Sequence, residues 1–450
     1  MKNKLNLLLV VATVASLGSA LSSCKKDEGE GVVRLLNFKP EIANNWGTII
    51  SKFKEDTGLT LIVETAAEGK YEERLRQDIS TDAAPTIFQV NGPIGQARWQ
   101  QYCQDMSSYD IVNKLKDTSL ALTVDGKVYG VPTTVEGYGI IYNKAITDKY
   151  FALSNRSTST GVSSMDEINS YTKLKAVVED MQAHKTDLGI DGVFSGTGMD
   201  GSTSWRISGH LFNMPLVAEC GNATSTPAKL EFTYNQGMRN LLDLYVKNSN
   251  VAVNQQESST WDQEATAFAT EKTAMVQNGI WATNDLTGKE GAKAKASNLR
   301  YLPLYTGVTN PNYEESSQGL CVGTEAYWTI NAKTSNANKN ASVKFLEWLF
   351  DGNGKQYAVD DIKLAPPFKG FTGDSLTSSD ALHVEMNRWL SMEGKKSVTW
   401  DFPLVPSTDA QRAPMVEDIK KYYTANLSDA AWNTLVNNVK TTWENLAKAA

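Results

Sequence analysis

Residues 32–90, VVRLLNFKPEIANNWGTIISKFKEDTGLTLIVETAAEGKYEERLRQDISTDAAPTIFQV, change their hydrophobic period four times. Residues 32–38 form a continuous apolar-rich run, the pattern of a strand buried on both faces. Trp46, Ile49, Ile50 and Phe53 then fall at helical spacing until Gly58 supplies a stop. Residues 59–63 read as a second strand, Tyr71, Leu75 and Ile79 as a second helix, and residues 86–90 as a third strand. Strands separated by helices need crossover connections, so this order predicts an α/β fold with a parallel sheet and helices on its faces. Open sheets of this kind bind ligands beyond the carboxyl ends of their strands. That rule directs attention to the loops at 39–45, 66–69 and 91–95.

Upstream, Lys2 and Lys4 precede an apolar run at 5–17 and small residues up to Cys24. The run is too short to span a bilayer as a mature helix and reads as an export signal, with a buried apolar helix as the alternative. Leu21-Ser22-Ser23-Cys24 resembles the lipobox of bacterial lipoproteins, which implies cleavage after residue 23 and lipid modification of Cys24. Residues 24–31 then form a short lipid-anchored tether, and the chain is expected on the extracytoplasmic face of a bacterial cell membrane. The 450 residues exceed one typical core of roughly 100 to 200 residues, so two lobes are expected. With 44 Lys plus Arg against 51 Asp plus Glu, the net charge of −7 argues against a nucleic acid or an anionic lipid surface held by bulk charge.

Downstream, Ser164 and Glu167 form a capping-box pattern ahead of Ile168, Tyr171, Leu174, Val178 and Met181, which predicts a helix in a second α/β region. Polar segments at 154–164, 331–340 and 372–380 read as surface loops. Trp432, Leu435, Val439, Trp443 and Leu446 predict a long amphipathic terminal helix whose Trp stripe faces a core. Gly196, Gly198 and Gly201 satisfy G-x-G-x-x-G, yet the preceding strand is only Val193 and Phe194 and no acid stands where a ribose partner belongs. A flexible loop is the better reading. Cys103, Cys220 and Cys321 are widely spaced, and His184, His210 and His383 are isolated. Neither set suits a metal, and no cofactor is expected. An exported chain permits a disulfide, but spacing does not choose a pair.

Several further segments, in order, resemble one family. Asp125-Gly126-Lys127-Val128-Tyr129-Gly130-Val131-Pro132 followed by Glu136-Gly137-Tyr138-Gly139-Ile140-Ile141-Tyr142-Asn143-Lys144 is similar to the DGKxYGxP … YNK segment of extracellular solute-binding proteins of sugar ABC transporters. Residues 268–282 (FATEKTAMVQNGIWA) resemble that family's F..GKxAM..xGxWA segment, residues 53–58 with 84–88 its FExxTGI … PDI opening, and residues 344–350 a further helix. Two departures stand out: Thr86 where the family has Asp, and Glu271-Lys272 where it has Gly-Lys. The resemblance implies a two-lobed periplasmic-binding-protein-like fold of type II, its discontinuous lobes joined by a hinge. The lobes expected by analogy are 32–135 with 324–366, and 136–323 with 367–450. It also implies a monomeric, non-enzymatic receptor that passes a carbohydrate, an oligosaccharide, to the permease subunits of an ABC importer. Two rivals stay open: an exported glycosidase, needing opposed carboxylates ~5 to 9.5 Å apart, and a same-fold receptor for a polyamine or another non-sugar solute.

A sugar offers hydroxyls to acids and amides and an apolar C–H face to an aromatic ring. Trp348, Trp389, Trp432 and Trp443 lie among apolar neighbours at helical spacing and read as core. Trp281, after Asn278-Gly279 at a strand end, takes the position of a ligand-stacking Trp in maltose-type binding proteins by this resemblance. Trp205 corresponds to another aromatic of that pocket, with packing as the alternative. Glu136 matches a sugar-contacting Glu, with a hinge salt bridge as the alternative, and Tyr138 joins it from the same segment. Asn91 ends the third strand, where the sheet rule places ligand. Trp46, Trp400, Glu325 and Tyr327 complete the candidates, each with packing or surface as an equal reading.

Overall fold

The computed structural model describes residues 31–450 apart from 68–69, 222, 224, 313, 325, 372–377, 402–403 and 450. The export segment, Cys24 and Glu325 lie outside the described residues.

The opening stretch folds as its periods predict. Strand β1 (Val32–Asn37) leads to a helix at Gly47–Thr57, β2 (Thr60–Thr65) to a helix at Tyr71–Asp78, and β3 (Ile87–Asn91) follows. Gly58 closes the first helix in the left-handed region, at φ 75°, with its N–H bonded to the Lys54 carbonyl. Both β2 and β3 pair parallel to β1. The sheet is completed by β4 (Leu122–Val124), β5 (Lys127–Pro132) and β11 (Ala326–Ile330), in the order β2-β1-β3-β11-β5-β4, with β11 antiparallel to both neighbours. Helix Asn336–Phe350 covers the sheet, and Phe53 meets Phe345 edge-on at 5.2 Å. Thr86, the departure from the family's Asp, is buried; its hydroxyl accepts from Arg34 N–H at 3.0 Å and from Ser342 Oγ at 2.9 Å. A neutral hydroxyl with both partners supplied avoids the desolvation cost of a carboxylate there.

The second sheet runs β12-β10-β6-β8-β7, with β9 also on β6. Its strands are β6 (Glu136–Asn143), β7 (Gly192–Phe194), β8 (Thr273–Gly279), β9 (Leu299–Leu302), β10 (Gln318–Gly323) and β12 (Lys396–Val398). All eight residues of β6 are buried. Tyr138, Ile140 and Tyr142 enter one core and Ile141 the opposite one, as period-two alternation between two covered faces requires. The terminal helix Asp429–Ala449 buries Trp432, Leu435, Val439 and Trp443, the predicted stripe.

Between the sheets the chain passes from β5 to β6 through residues 133–135 and again between the end of β10 at Gly323 and the start of β11 at Ala326. Val135 N–H bonds the Ala365 carbonyl and Ala365 N–H bonds Thr134 Oγ1, both at 2.9 Å. The expected third passage near Pro366 differs from the packing: Phe368 and Phe371 remain in the first core, and Phe368 stacks on Phe350 at 4.6 Å. The next helix, Ala381–Leu390, packs on the second sheet, with Trp389 Nε1 donating to the Tyr301 carbonyl.

Two local expectations shift. The capping box expected at Ser164 does not form: Ser164 gives no side-chain cap to the 3₁₀ turn Met165–Glu167, Glu167 accepts from Ser163 instead, and the α-helix starts at Tyr171 under Ser170. Part of the polar 331–340 segment is the first turn of a helix capped by Ser335. Cys103, Cys220 and Cys321 are free thiols. Cys321 lies 3.6 Å from the Met214 sulfur, and burial pushes its thiol up to about 12.

Candidate functional site

The first sheet supplies a cation to the junction. At the carboxyl end of β1, Asn37 brackets Lys39, its Oδ1 accepting from Lys39 N–H and its Nδ2 donating to the Lys39 carbonyl. This local turn aims the Lys39 side chain across the junction, where it pairs with the carboxylate of Glu136, the first residue of β6. Glu41 lies 3.6 Å from the same ammonium. Both partners are mostly shielded, so the attraction is stronger than that of an exposed pair. The hinge salt bridge weighed for Glu136 is present, and it joins the two sheets.

The second sheet supplies the aromatic surface. Gly279 ends β8 opposite Tyr138, and Trp281 follows in the turn Ile280–Ala282. The indole folds back over Gly279 so closely that a Cβ there would lie 2.2 Å from the ring. The glycine is required by that approach, not by its backbone angles. Lys39 Nζ stands 5.6 Å from the Trp281 ring centroid, within the range of a cation–π contact. Trp205 approaches the same ring at 5.9 Å and is inclined to it by 44°. Both indoles are only partly buried.

Trp205 is held by the glycine-rich loop after β7. A Cβ on Gly198 would lie 1.8 Å from the Ser259 carbonyl oxygen, and one on Gly196 2.4 Å from Ser259 Oγ. The glycines therefore serve close backbone packing, and Gly198 N–H donates to Glu264. Glu264 in turn forms a buried ion pair with Arg206 at 2.8 Å. Burial pushes the Glu264 carboxyl up, and the Arg206 charge opposes it. The Arg206 guanidinium lies 4.2 Å over Trp261 and 5.2 Å from Trp205, whose Nε1 donates to the Ser202 carbonyl. From Arg206 to Leu211 the chain forms a π turn, which carries His210 into the cluster.

His210 stacks on Tyr138 at 3.7 Å with an interplanar angle of 4°, and Tyr138 meets Trp400 at 5.4 Å. Trp400 packs on Gly323 at the second passage, where a Cβ would come within 2.7 Å of its ring. Burial, with the charges of Arg412 and Arg206, holds His210 well below the ordinary imidazole range, so the ring is neutral.

Five candidates read from the sequence thus meet at one place: Trp281, Trp205, Tyr138 and Trp400, with Glu136 joined through Lys39. Trp46 does not join them; it is 2% exposed in the first core, beside Trp328. Asn91 accepts from Gln89 within its own strand. Tyr327 lies on β11, where burial pushes its hydroxyl up to about 12. Lys39, Arg206, His210 and Gln277 join the site without standing among the sequence candidates for it. Lys39 falls in the first loop marked by the sheet rule; Arg206 and His210 are gathered by the π turn and Gln277 reaches them from β8, placements that have no local code. Among the described residues no group of three or more His, Cys, Asp or Glu could hold a metal.

Two α/β lobes joined at paired passages, with partly exposed aromatics and an ion pair where they meet, define a two-lobed binding protein. A profile of the family described as bacterial extracellular solute-binding protein matches residues 48–383, and the chain belongs to that family. The "Multiple sugar-binding protein" of Streptococcus mutans serotype c is 24% identical over 381 residues, covering 80% of this chain and 82% of the relative. A solved "Chitin oligosaccharide binding protein" superposes with a TM-score of 0.68 at 16% identity, covering 93% of this chain and 99% of the other. RafE in complex with raffinose does so with 0.66 at 18%, covering 92% and 99%.

Proposed function

We propose that the protein is an extracytoplasmic receptor that captures an oligosaccharide between its lobes and delivers it to an ABC importer without chemical change. The observation that carries this reading is the pair of partly exposed indoles, Trp281 and Trp205, set beside a Lys39–Glu136 pair drawn from both lobes. Indole faces suit the C–H face of a pyranose, and the carboxylate and ammonium suit its hydroxyls. The sugars for which the relatives are named support the same class of ligand. We assign the lobes as 32–135 with 324–371 and 136–323 with 378–450. The third passage is set past Phe371 because that ring packs in the first core. Anchoring through a lipid on Cys24 completes the proposal; among the described residues no helix is long and apolar enough to cross a membrane.

The test is calorimetry against raffinose, chitooligosaccharides, maltooligosaccharides and spermidine, with each ligand recovered afterwards by chromatography. Tight binding of one sugar class, recovered intact, is expected. Cleaved product would move the protein to the glycosidases, and heat with spermidine alone would move it to polyamine receptors. Fatty-acid labelling is expected in the wild type and lost in Cys24→Ser.

A further inference from the structure

His210 occupies the centre of the aromatic cluster, and the capture of a sugar as described leaves it without a task. Its imidazole is 4% exposed. One face lies on Tyr138, while Trp205 meets the ring edge-on, at 5.0 Å and 83°. Trp281 lies 5.9 Å away. His210 is therefore in contact with both Trp205 and Trp281, whose indoles are partly exposed. Its own orientation is set from below: Nδ1 lies 2.8 Å from Gln277 Nε2 on β8, a buried bond that stops rotation of the ring. Gln277 belongs to the strand that ends at Gly279, the residue on which Trp281 folds. One strand thus fixes Trp281 directly and Trp205 through the imidazole.

We propose that His210 is a positioning residue: it holds Trp205 and Trp281 at their mutual angle, with Gln277 locking its ring, and acts on the ligand only through those indoles. The proposal rests on the sugar-receptor reading. Because a held ring is what matters, either direction of the Gln277–His210 hydrogen bond serves. Gln277→Met removes the bond at nearly constant volume, and Gln277→Glu keeps a partner for Nδ1.

The experiment measures sugar affinity, thermal melting and near-ultraviolet circular dichroism of the unliganded protein for wild type, His210→Ala, Gln277→Met and Gln277→Glu. His210→Ala and Gln277→Met are expected to lose about tenfold in affinity, since displaced contact groups forfeit preorganisation. Both should also lose part of the tryptophan dichroism, with Gln277→Met still melting within a few degrees of wild type. Gln277→Glu should keep its dichroism and stay within about threefold of wild-type affinity, the rescue that loss of packing alone does not allow. Wild-type affinity in Gln277→Met, or unchanged dichroism in it, overturns the proposal. Should no sugar bind the wild type, the receptor reading fails separately, and the dichroism of the unliganded variants still decides whether His210 sets the indoles. Gln277→Met covers the case in which His210→Ala fails to fold.

Discussion

The first sheet and the second are built on opposite terms. In the first, residues 32–91 alternate strand and helix with few interruptions, and its aromatic residues, Phe53, Trp328, Phe345 and Phe350, pack on one another in an enclosed core. In the second, the face of β6 that carries Tyr138 meets a neutral histidine, two part-exposed indoles and a buried Arg206–Glu264 pair. Enclosed rings stabilise by burial, whereas rings that polar neighbours keep partly open retain surface free for a further contact.

The sharpest way to break this contrast is to truncate one ring on each side. Phe53→Ala should destabilise the protein by about 3–5 kcal/mol, because a fully buried Phe leaves a cavity that a packed core fills only in part. Its sugar affinity, measured below the melting transition, should stay unchanged. Trp281→Ala should do the reverse, lowering affinity by roughly 30-fold or more, as expected of a central aromatic contact, with little change in denaturant midpoint. If Trp281→Ala unfolds the protein and Phe53→Ala weakens binding, the division of labour is wrong.

A third test concerns the polar rim of the second sheet. Asp401, next to Trp400, is 7% exposed, and its Oδ2 is buried without a partner among the described residues. Burial pushes its carboxyl up to about 6, against an ordinary value of about 3.9. A folded value above the unfolded one means the native chain holds this proton more tightly. Its stabilising contribution is complete below about pH 4 and is lost as pH rises through 6. Asp401→Asn should therefore be more stable than wild type at pH 7.5, by roughly 1–2 kcal/mol after solvent screening. The difference should shrink toward pH 4.5; thermal melting at the two values checks it.

The smallest effect belongs to a turn. Glu271 holds φ 60° just before β8, where the family resemblance has glycine, and its Oε1 accepts from Asn143 Nδ2 at 3.1 Å. The left-handed region costs a non-glycine residue ~1 kcal/mol, which that hydrogen bond partly offsets. Glu271→Gly relieves that cost but strips the buried Asn143 Nδ2 of this acceptor, so stability should stay within about 0.5 kcal/mol of wild type, read from the urea midpoint.

The sequence by itself determined the strand and helix order of residues 32–91, the stop at Gly58 and the Trp stripe of the last helix. Each is written in neighbouring residues, through the period of apolar side chains or the freedom of a glycine. Only the tertiary structure decided that Trp46 is enclosed, that Phe368 and Phe371 stay with the first core, and that Lys39 meets Glu136 across 97 residues of chain. It also decided the placement of His210, which the sequence shows as an isolated histidine. A π turn and a partner on β8 bring it against three aromatic rings. Contacts of that kind depend on how two sheets are joined and on buried polar groups finding partners from distant strands. No local spacing encodes such pairings.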